Sequence, residues 1–210
     1  MKTLLHIDSS GRETRSISRG MTDRFVNRWR AANPDGRVIR RDVGLNPPPT
    51  VTEAWIASVY TPDGERDAAA QQAVAESDTL IEELSSADAV VMGVSMYNFG
   101  MPAALKAWVD QIVRINRTFV IEPDSEQPYR GLMADKPVVL VISAGEGEMH
   151  PGGSMEHLNF LEPHLMTILG FVGMTDVRPV RIGYSEFKDD RYERSVREAE
   201  AQIDALVGSL

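Results

Sequence analysis

Short apolar runs alternate with longer stretches whose apolar residues recur at helical spacing, and this alternation fills the chain. Residues 3–8 form an apolar run ending in polar Asp8-Ser9-Ser10-Gly11. In residues 16–32, Ile17, Met21, Phe25 and Trp29 recur at steps of four, one stripe of a helix. Asn33-Pro34-Asp35-Gly36 stops that helix, and Val38 and Ile39 mark a second strand. Residues 43–64 are rich in proline, with a short helix over 53–59, and read as a lid or partner-facing segment. A helix follows over 65–86. The run 89–94 is wholly apolar, as a central parallel strand buried on both faces requires.

Further along, Pro102 opens a helix over 102–115, 137–143 is another buried strand, and 154–169 is helical with a kink expected at Pro163. Residues 177–182 are strand-like, and 191–207 form a last amphipathic helix carrying Val196, Ala199, Ile203 and Leu206. Five β–α units without repeat or linker predict one α/β domain over 1–210, a doubly wound five-stranded parallel sheet. In such sheets ligands sit beyond the carboxyl ends of the strands. The loops after strands one, three and four are therefore the places to search.

Composition narrows the chemistry. The chain has no cysteine, which excludes disulfides, thiolate metal sites and cysteine nucleophiles and suits a reducing, cytoplasmic setting. A net charge of −9 opposes nucleic-acid binding, and Arg37, Arg40 and Arg41 read as a solvated strand end. No apolar run reaches membrane-spanning length. His157 and His164 lie seven residues apart with no carboxylate placed to complete a metal site, so no metal is expected.

The first loop runs Ser9-Ser10-Gly11-Arg12-Glu13-Thr14-Arg15-Ser16-Ile17-Ser18 and opens onto a helix. Free N–H groups, the helix dipole and hydroxyl donors make a phosphate cradle; Ser16 as a plain N-cap explains the same residues. The third strand ends in Ser95-Met96-Tyr97-Asn98-Phe99-Gly100-Met101-Pro102, where a flat heteroaromatic ring can lie against backbone and amide, or the aromatics can plug the core. The fourth ends in Ser143-Ala144-Gly145-Glu146-Gly147, too short of glycine for a dinucleotide fingerprint. Its glycines suit close approach of backbone to a ring, and equally a mobile surface loop.

Taken together, Ser10 with Ser16-x-Ser18, Met96-Tyr97-Asn98-Phe99, Leu105-Lys106-x-x-x-Asp110, Thr118-Phe119 and Leu169-Gly170-Phe171-x-Gly173-x-Thr175-Asp176-Val177 resemble the FMN-dependent NADH:azoreductases, flavodoxin-fold relatives of the quinone reductases. The resemblance implies a homodimer that passes two electrons from NADH or NADPH through bound FMN to a quinone or azo acceptor by a ping-pong mechanism. It implies that Ser10, Ser16, Ile17 and Ser18 hold the FMN phosphate. Met96, Tyr97, Asn98 and Phe99 would border the isoalloxazine. Ser143, Ala144, Gly145 and Gly147 would flank its pyrimidine side, and Phe171 would line the acceptor pocket, with Ile121 where an aromatic is sometimes found. No side chain is assigned as a catalytic acid, since the flavin carries the redox chemistry. Departures are Ser95 in place of proline, and Ala144 and Glu146 where the family has arginine and glycine. Glu146 and Glu148 lie close by in sequence: near the ring they would disfavour its anionic reduced form, and pointing to solvent they would matter little. The alternatives are an FMN-binding electron carrier and a nitroaromatic or other flavin-dependent reductase.

Overall fold

The computed structural model describes residues 1–209. Its main sheet uses β1 (Thr3–Asp8), β2 (Arg37–Asp42), β3 (Ala89–Ser95), β6 (Val138–Ser143) and β7 (Val177–Ile182), all parallel, in the order β2-β1-β3-β6-β7. The central strands β3 and β6 are apolar along nearly their whole length because helices cover both of their faces. Edge strand β2 can carry Arg37, Arg40 and Arg41 because it is half open to water. Arg41 nevertheless bonds Glu83 and Glu76, and Arg40 lies 3.4 Å from Asp8, so these arginines are more engaged than a solvated strand end suggests.

One face of the sheet is covered by α1 (Ile17–Ala32) and α6 (Asp190–Val207), which bury Phe25, Trp29 and Ile203. Leu80, Leu84, Trp108 and Leu165, from α3 (Ala68–Ser86), α4 (Ala103–Ile112) and α5 (Glu162–Val172), pack on the other face. The proline-rich segment carries α2 (Glu53–Tyr60), whose Trp55 and Val59 form a satellite cluster with Val74. A hairpin of β4 (Phe119–Ile121) and β5 (Tyr129–Gly131), which has no signal in the sequence pattern, lies outside the sheet. Among the described residues no helix is long and apolar enough to cross a membrane.

Two helices start later than the pattern suggests. The third begins at Ala68 because Asp67 accepts from the Ala70 amide at 2.8 Å and caps it there. The helix expected over 154–169 runs instead over Glu162–Val172: Pro163 sits in its first turn, where no N–H is needed, and does not kink it. Asn159 Oδ1 accepts from the Leu161 and Glu162 amides at 3.2 and 3.0 Å and sets that start. The chain leaves β1 toward β2 on one side and continues through β3, β6 and β7 on the other, so the crevice opens between the carboxyl ends of β1 and β3.

Candidate functional site

The loop after β1 is tied down from below. The Ser9 amide and hydroxyl both donate to the Gly93 carbonyl, at 3.0 and 2.9 Å. Gly44 presses against the Ser10 backbone so closely that a Cβ there would collide with it. Beneath the loop, the buried Arg19 guanidinium donates to both Asp42 oxygens at 2.6 and 2.7 Å and to the Ser10 carbonyl at 2.6 Å. Buried Asp8 lies 3.4 Å from the same guanidinium, 3.2 Å from His6 Nε2, and accepts from the Thr22 hydroxyl at 2.9 Å. Burial pushes the Asp8 carboxyl up, but hydrogen bonding and charge from His6, with Thr22 and Arg19, outweigh it and hold it below the usual carboxylate range.

On this platform Ser16 caps α1, its hydroxyl accepting from the Arg19 amide at 3.3 Å. The first helical N–H groups, at Ile17 and Ser18, have no carbonyl to bond within the helix. From Ser16 a file of hydroxyls runs inward: Ser16 to Ser18 at 3.3 Å, Ser18 to Ser95 at 3.2 Å, and Ser143 donating to Ser95 at 3.2 Å. A proline at position 95 would break this file. Free N–H groups with converging hydroxyls form a cradle for an anionic group of phosphate size.

Across the crevice, Tyr97 and Gly100 exchange two backbone hydrogen bonds of 3.0 Å around Asn98 and Phe99, which both have positive φ, 48° and 69°. Asparagine tolerates that region; for Phe99 it stores strain of roughly 1–3 kcal/mol. The Tyr97 ring reaches back to the first loop, its hydroxyl lying 3.4 Å from Ser10 Oγ and accepting from the Gly11 amide at 3.3 Å. The two loops thereby enclose one cavity of about 500 Å³.

Ser16, Ile17, Met96, Tyr97, Asn98, Ser143 and Gly145 all line that cavity. Ser10 and Ser18 are fully buried and act through their contacts with Tyr97, Ser16 and Ser95. Phe99 lies off the cavity wall and Ala144 and Gly147 border a small adjoining void of about 30 Å³. Phe171 and Ile121 are elsewhere in the chain: Phe171 packs at a tilt against Phe119 and Tyr129, with centroids 4.9 and 5.7 Å away, and Ile121 is exposed on β4.

Neither glutamate after β6 lines the main cavity, although Glu146 borders the adjoining void. Glu146 accepts from the Gly147 and Glu148 amides of its own loop, and Glu148 accepts from the Tyr184 hydroxyl at 2.5 Å. That hydrogen bond holds the Glu148 carboxyl below its ordinary range and raises the Tyr184 phenol. The carboxylate on the cavity wall is Glu186, packed against Gly145 so tightly that a Cβ at Gly145 would strike it. Ser185, Glu186 and Lys188 come from the loop after β7, and Arg12 and Arg15 from the first loop. Sequence reasoning passed over these five. The charged and hydroxyl side chains of Ser185, Glu186 and Lys188, just before the Asp189 cap of the last helix, were the available signal.

A family model described as the flavodoxin-like fold matches residues 2–207. The chain is 47% identical to the FMN-dependent NADH:quinone oxidoreductase of Opitutus terrae, covering 100% of this chain and 99% of that one. It is 40% identical to FMN-dependent NADH:quinone oxidoreductase 2 of Colwellia psychrerythraea, covering both chains in full. Among solved structures, an azoreductase from Bacillus anthracis superposes with a TM-score of 0.89 at 22% identity, over 100% of each chain. A second from that species, an FMN-dependent NADH-azoreductase in complex with FMN, gives a TM-score of 0.86 at 16% identity, covering 100% of this chain and 99% of its own. At such identities the structures attest to the fold.

Proposed function

This chain belongs to the flavodoxin-like family, and from that premise we propose that it is an FMN-dependent NADH:quinone oxidoreductase that also reduces azo compounds. The observation that carries the proposal is the single cavity at the β1/β3 switch point, with a helix N-terminus and hydroxyls at one end and the Met96–Asn98 slot at the other. Its polar and flat ends fit the phosphate and ring of FMN. Bound there, FMN would supply the redox chemistry, two-electron transfer from NADH to the acceptor.

The protein holds and orients. Ser16 and the Ile17 amide bind the phosphate, with Ser10 and Ser18 buried behind them and holding Tyr97, Ser16 and Ser95 in place; Met96, Tyr97 and Asn98 border the ring, and Phe99 is set back from it. Ser143 and Gly145 form its pyrimidine flank, with Ala144 and Gly147 behind them at the adjoining void. A donor and an acceptor that occupy the cavity in turn would make the kinetics ping-pong, with protons drawn from solvent. Phe171 and Ile121 line the acceptor pocket from across a homodimer interface, and the enzyme works in the cytoplasm. The exposure of Ile121, Tyr129 and Leu132 beside the Phe171 cluster supports such an interface. Sedimentation at micromolar concentration tests it: an active monomer rules it out.

The purified protein is expected to carry a flavin absorbance spectrum and to oxidise NADH steadily with a quinone or an azo dye. Parallel double-reciprocal lines are the expected ping-pong signature. FMN-loaded protein that transfers no electrons from NADH to either acceptor would reduce this reading to a carrier.

Glu186 gives a second expectation. A carboxylate beside the pyrimidine flank disfavours added negative charge on the ring. Glu186→Gln is therefore expected to raise the midpoint potential of bound FMN by roughly 10–30 mV, where 30 mV is about 1.4 kcal/mol for a two-electron couple. Solvent screening of this exposed side chain keeps the figure small. Spectroelectrochemical titration reads the shift; identical potentials in wild type and variant would show that Glu186 does not tune the ring.

A further inference from the structure

Beside the FMN cavity lies a second one of about 620 Å³, lined by Arg12, Glu13, Arg15, Ser185, Lys188 and Tyr192 among others. It shares Arg12, Arg15, Ile17, Ser185 and Lys188 with the first cavity and none of the ring-side residues Met96, Tyr97 or Asn98. The two volumes therefore join at the phosphate end. Three cations, Arg12, Arg15 and Lys188, meet there in a chain of net charge −9, and none has a carboxylate partner among the described residues. Glu13 is the one carboxylate on the second wall.

A single phosphomonoester is already served by the α1 N-terminus and the serine hydroxyls. The surplus of positive charge beyond it, with the half-buried Tyr192 ring as an apolar wall, matches a larger anion that carries a flat base. We propose that the second cavity is a subsite for an adenosine diphosphate group, the half that NADH and FAD have in common. Arg12, Arg15 and Lys188 bind its phosphates and Tyr192 its adenine. The volume lies within the range of nucleotide-sized ligand sites, roughly 300–1,000 Å³. This inference rests on the FMN reading above, because the FMN phosphate is what leaves these cations free.

The direct probe is ADP. Calorimetric titration of the wild-type FMN-loaded protein with ADP is expected to show binding with Kd below about 1 mM. Lys188→Gln and, separately, Tyr192→Ala, whose ring lines the second cavity and not the first, are each expected to weaken it about tenfold or more, as loss of a charge-assisted contact or of a stacking surface does. The affinity of the apoprotein for FMN should fall far less than the affinity for ADP. Two further arms assign the source. If the group is FAD's, the variants lose affinity for FAD relative to FMN in fluorescence titrations of apoprotein. If it is the donor's, KM for NADH rises relative to KM for 1-benzyl-1,4-dihydronicotinamide, which has no phosphate. A shift in either arm supports the subsite. Absence of ADP binding, loss of FMN affinity equal to that for ADP, or no shift in either arm overturns it. Failure of the FMN reading itself shows separately, as wild-type protein that binds no FMN.

Discussion

Arg19→Met is expected to destabilise the protein by about 3–5 kcal/mol at neutral pH, the cost of removing one partner from a buried ionic network. The guanidinium is the sole donor that joins Asp42, Asp8 and the Ser10 carbonyl, and Met restores the volume of its stem without the charge. Two carboxylates would then face each other beneath the first loop with only His6, Thr22 and Arg40 near Asp8 and the Leu45 amide at Asp42. Urea unfolding at neutral pH reads the effect; a loss under about 1 kcal/mol would show that the network is dispensable.

The pH dependence carries the sign. Burial pushes the Asp42 carboxyl up, but the Arg19 hydrogen bonds and the Leu45 amide outweigh it, so Asp42 and Asp8 are both held below the ordinary range. A depressed folded-state value means stability that is present above the unfolded carboxylate pKa, about 3.9, and lost as pH falls through it and on toward the folded value. Wild-type stability should thus fall between about pH 5 and 3. In Arg19→Met protonation relieves the unpaired carboxylates, so the same fall is flattened or reversed.

Replacing Ser16 and Ser18 together by Ala is expected to weaken FMN binding by about 1–3 kcal/mol, roughly a tenfold to hundredfold rise in Kd. The Ser16 hydroxyl stands at the α1 N-terminus beside free amides and a favourable dipole, and the buried Ser18 hydroxyl supports it from 3.3 Å. Riboflavin, which lacks the phosphate, should bind wild type and variant alike and more weakly than FMN binds wild type. Ser16 is also the helix cap, and its loss costs about 1 kcal/mol of stability by itself. Melting of the apoproteins separates that term from recognition. Equal affinity of the wild type for FMN and riboflavin would remove the phosphate assignment.

Much of this architecture is legible in the residue pattern, for local reasons. The wholly apolar runs of β3 and β6 can only be central strands, and the four-residue stripe from Ile17 to Trp29 can only be a helix with one buried face. The first and third loops are legible because each strand hands directly to a helix. What escaped depends on strand order. Arg19 reads as one more polar residue until β2 lies beside β1 and brings Asp42 under α1. Glu186 and Lys188 enter the cavity because the α1 and α6 ends are neighbours on one face of the sheet, a pairing between chain ends that periodicity does not encode. The direction of the glutamates after β6 stayed open for the converse reason. Their own loop amides and Tyr184 satisfy them locally, and closeness in sequence to Gly145 said nothing of direction.

The serine file from Ser16 to Ser143 has a further consequence, because each hydroxyl carries one proton and the file can point only one way at a time. A phosphate dianion at the Ser16 end accepts and does not donate. Once it takes the Ser16 proton, Ser18 must turn toward Ser16 or the phosphate, Ser95 toward Ser18, and Ser143 toward Ser95. The last of these is the direction the Ser143 hydroxyl already has. Its lone pairs are then left facing the cavity on the ring side. Seating the phosphate thus locks the file in the direction Ser143 already has, without moving an atom heavier than hydrogen, whereas riboflavin leaves the Ser16 and Ser18 hydroxyls free to turn. Different ring absorption bands for the two bound flavins would register that orientation, and superimposable bands would show that the file stays unpolarised.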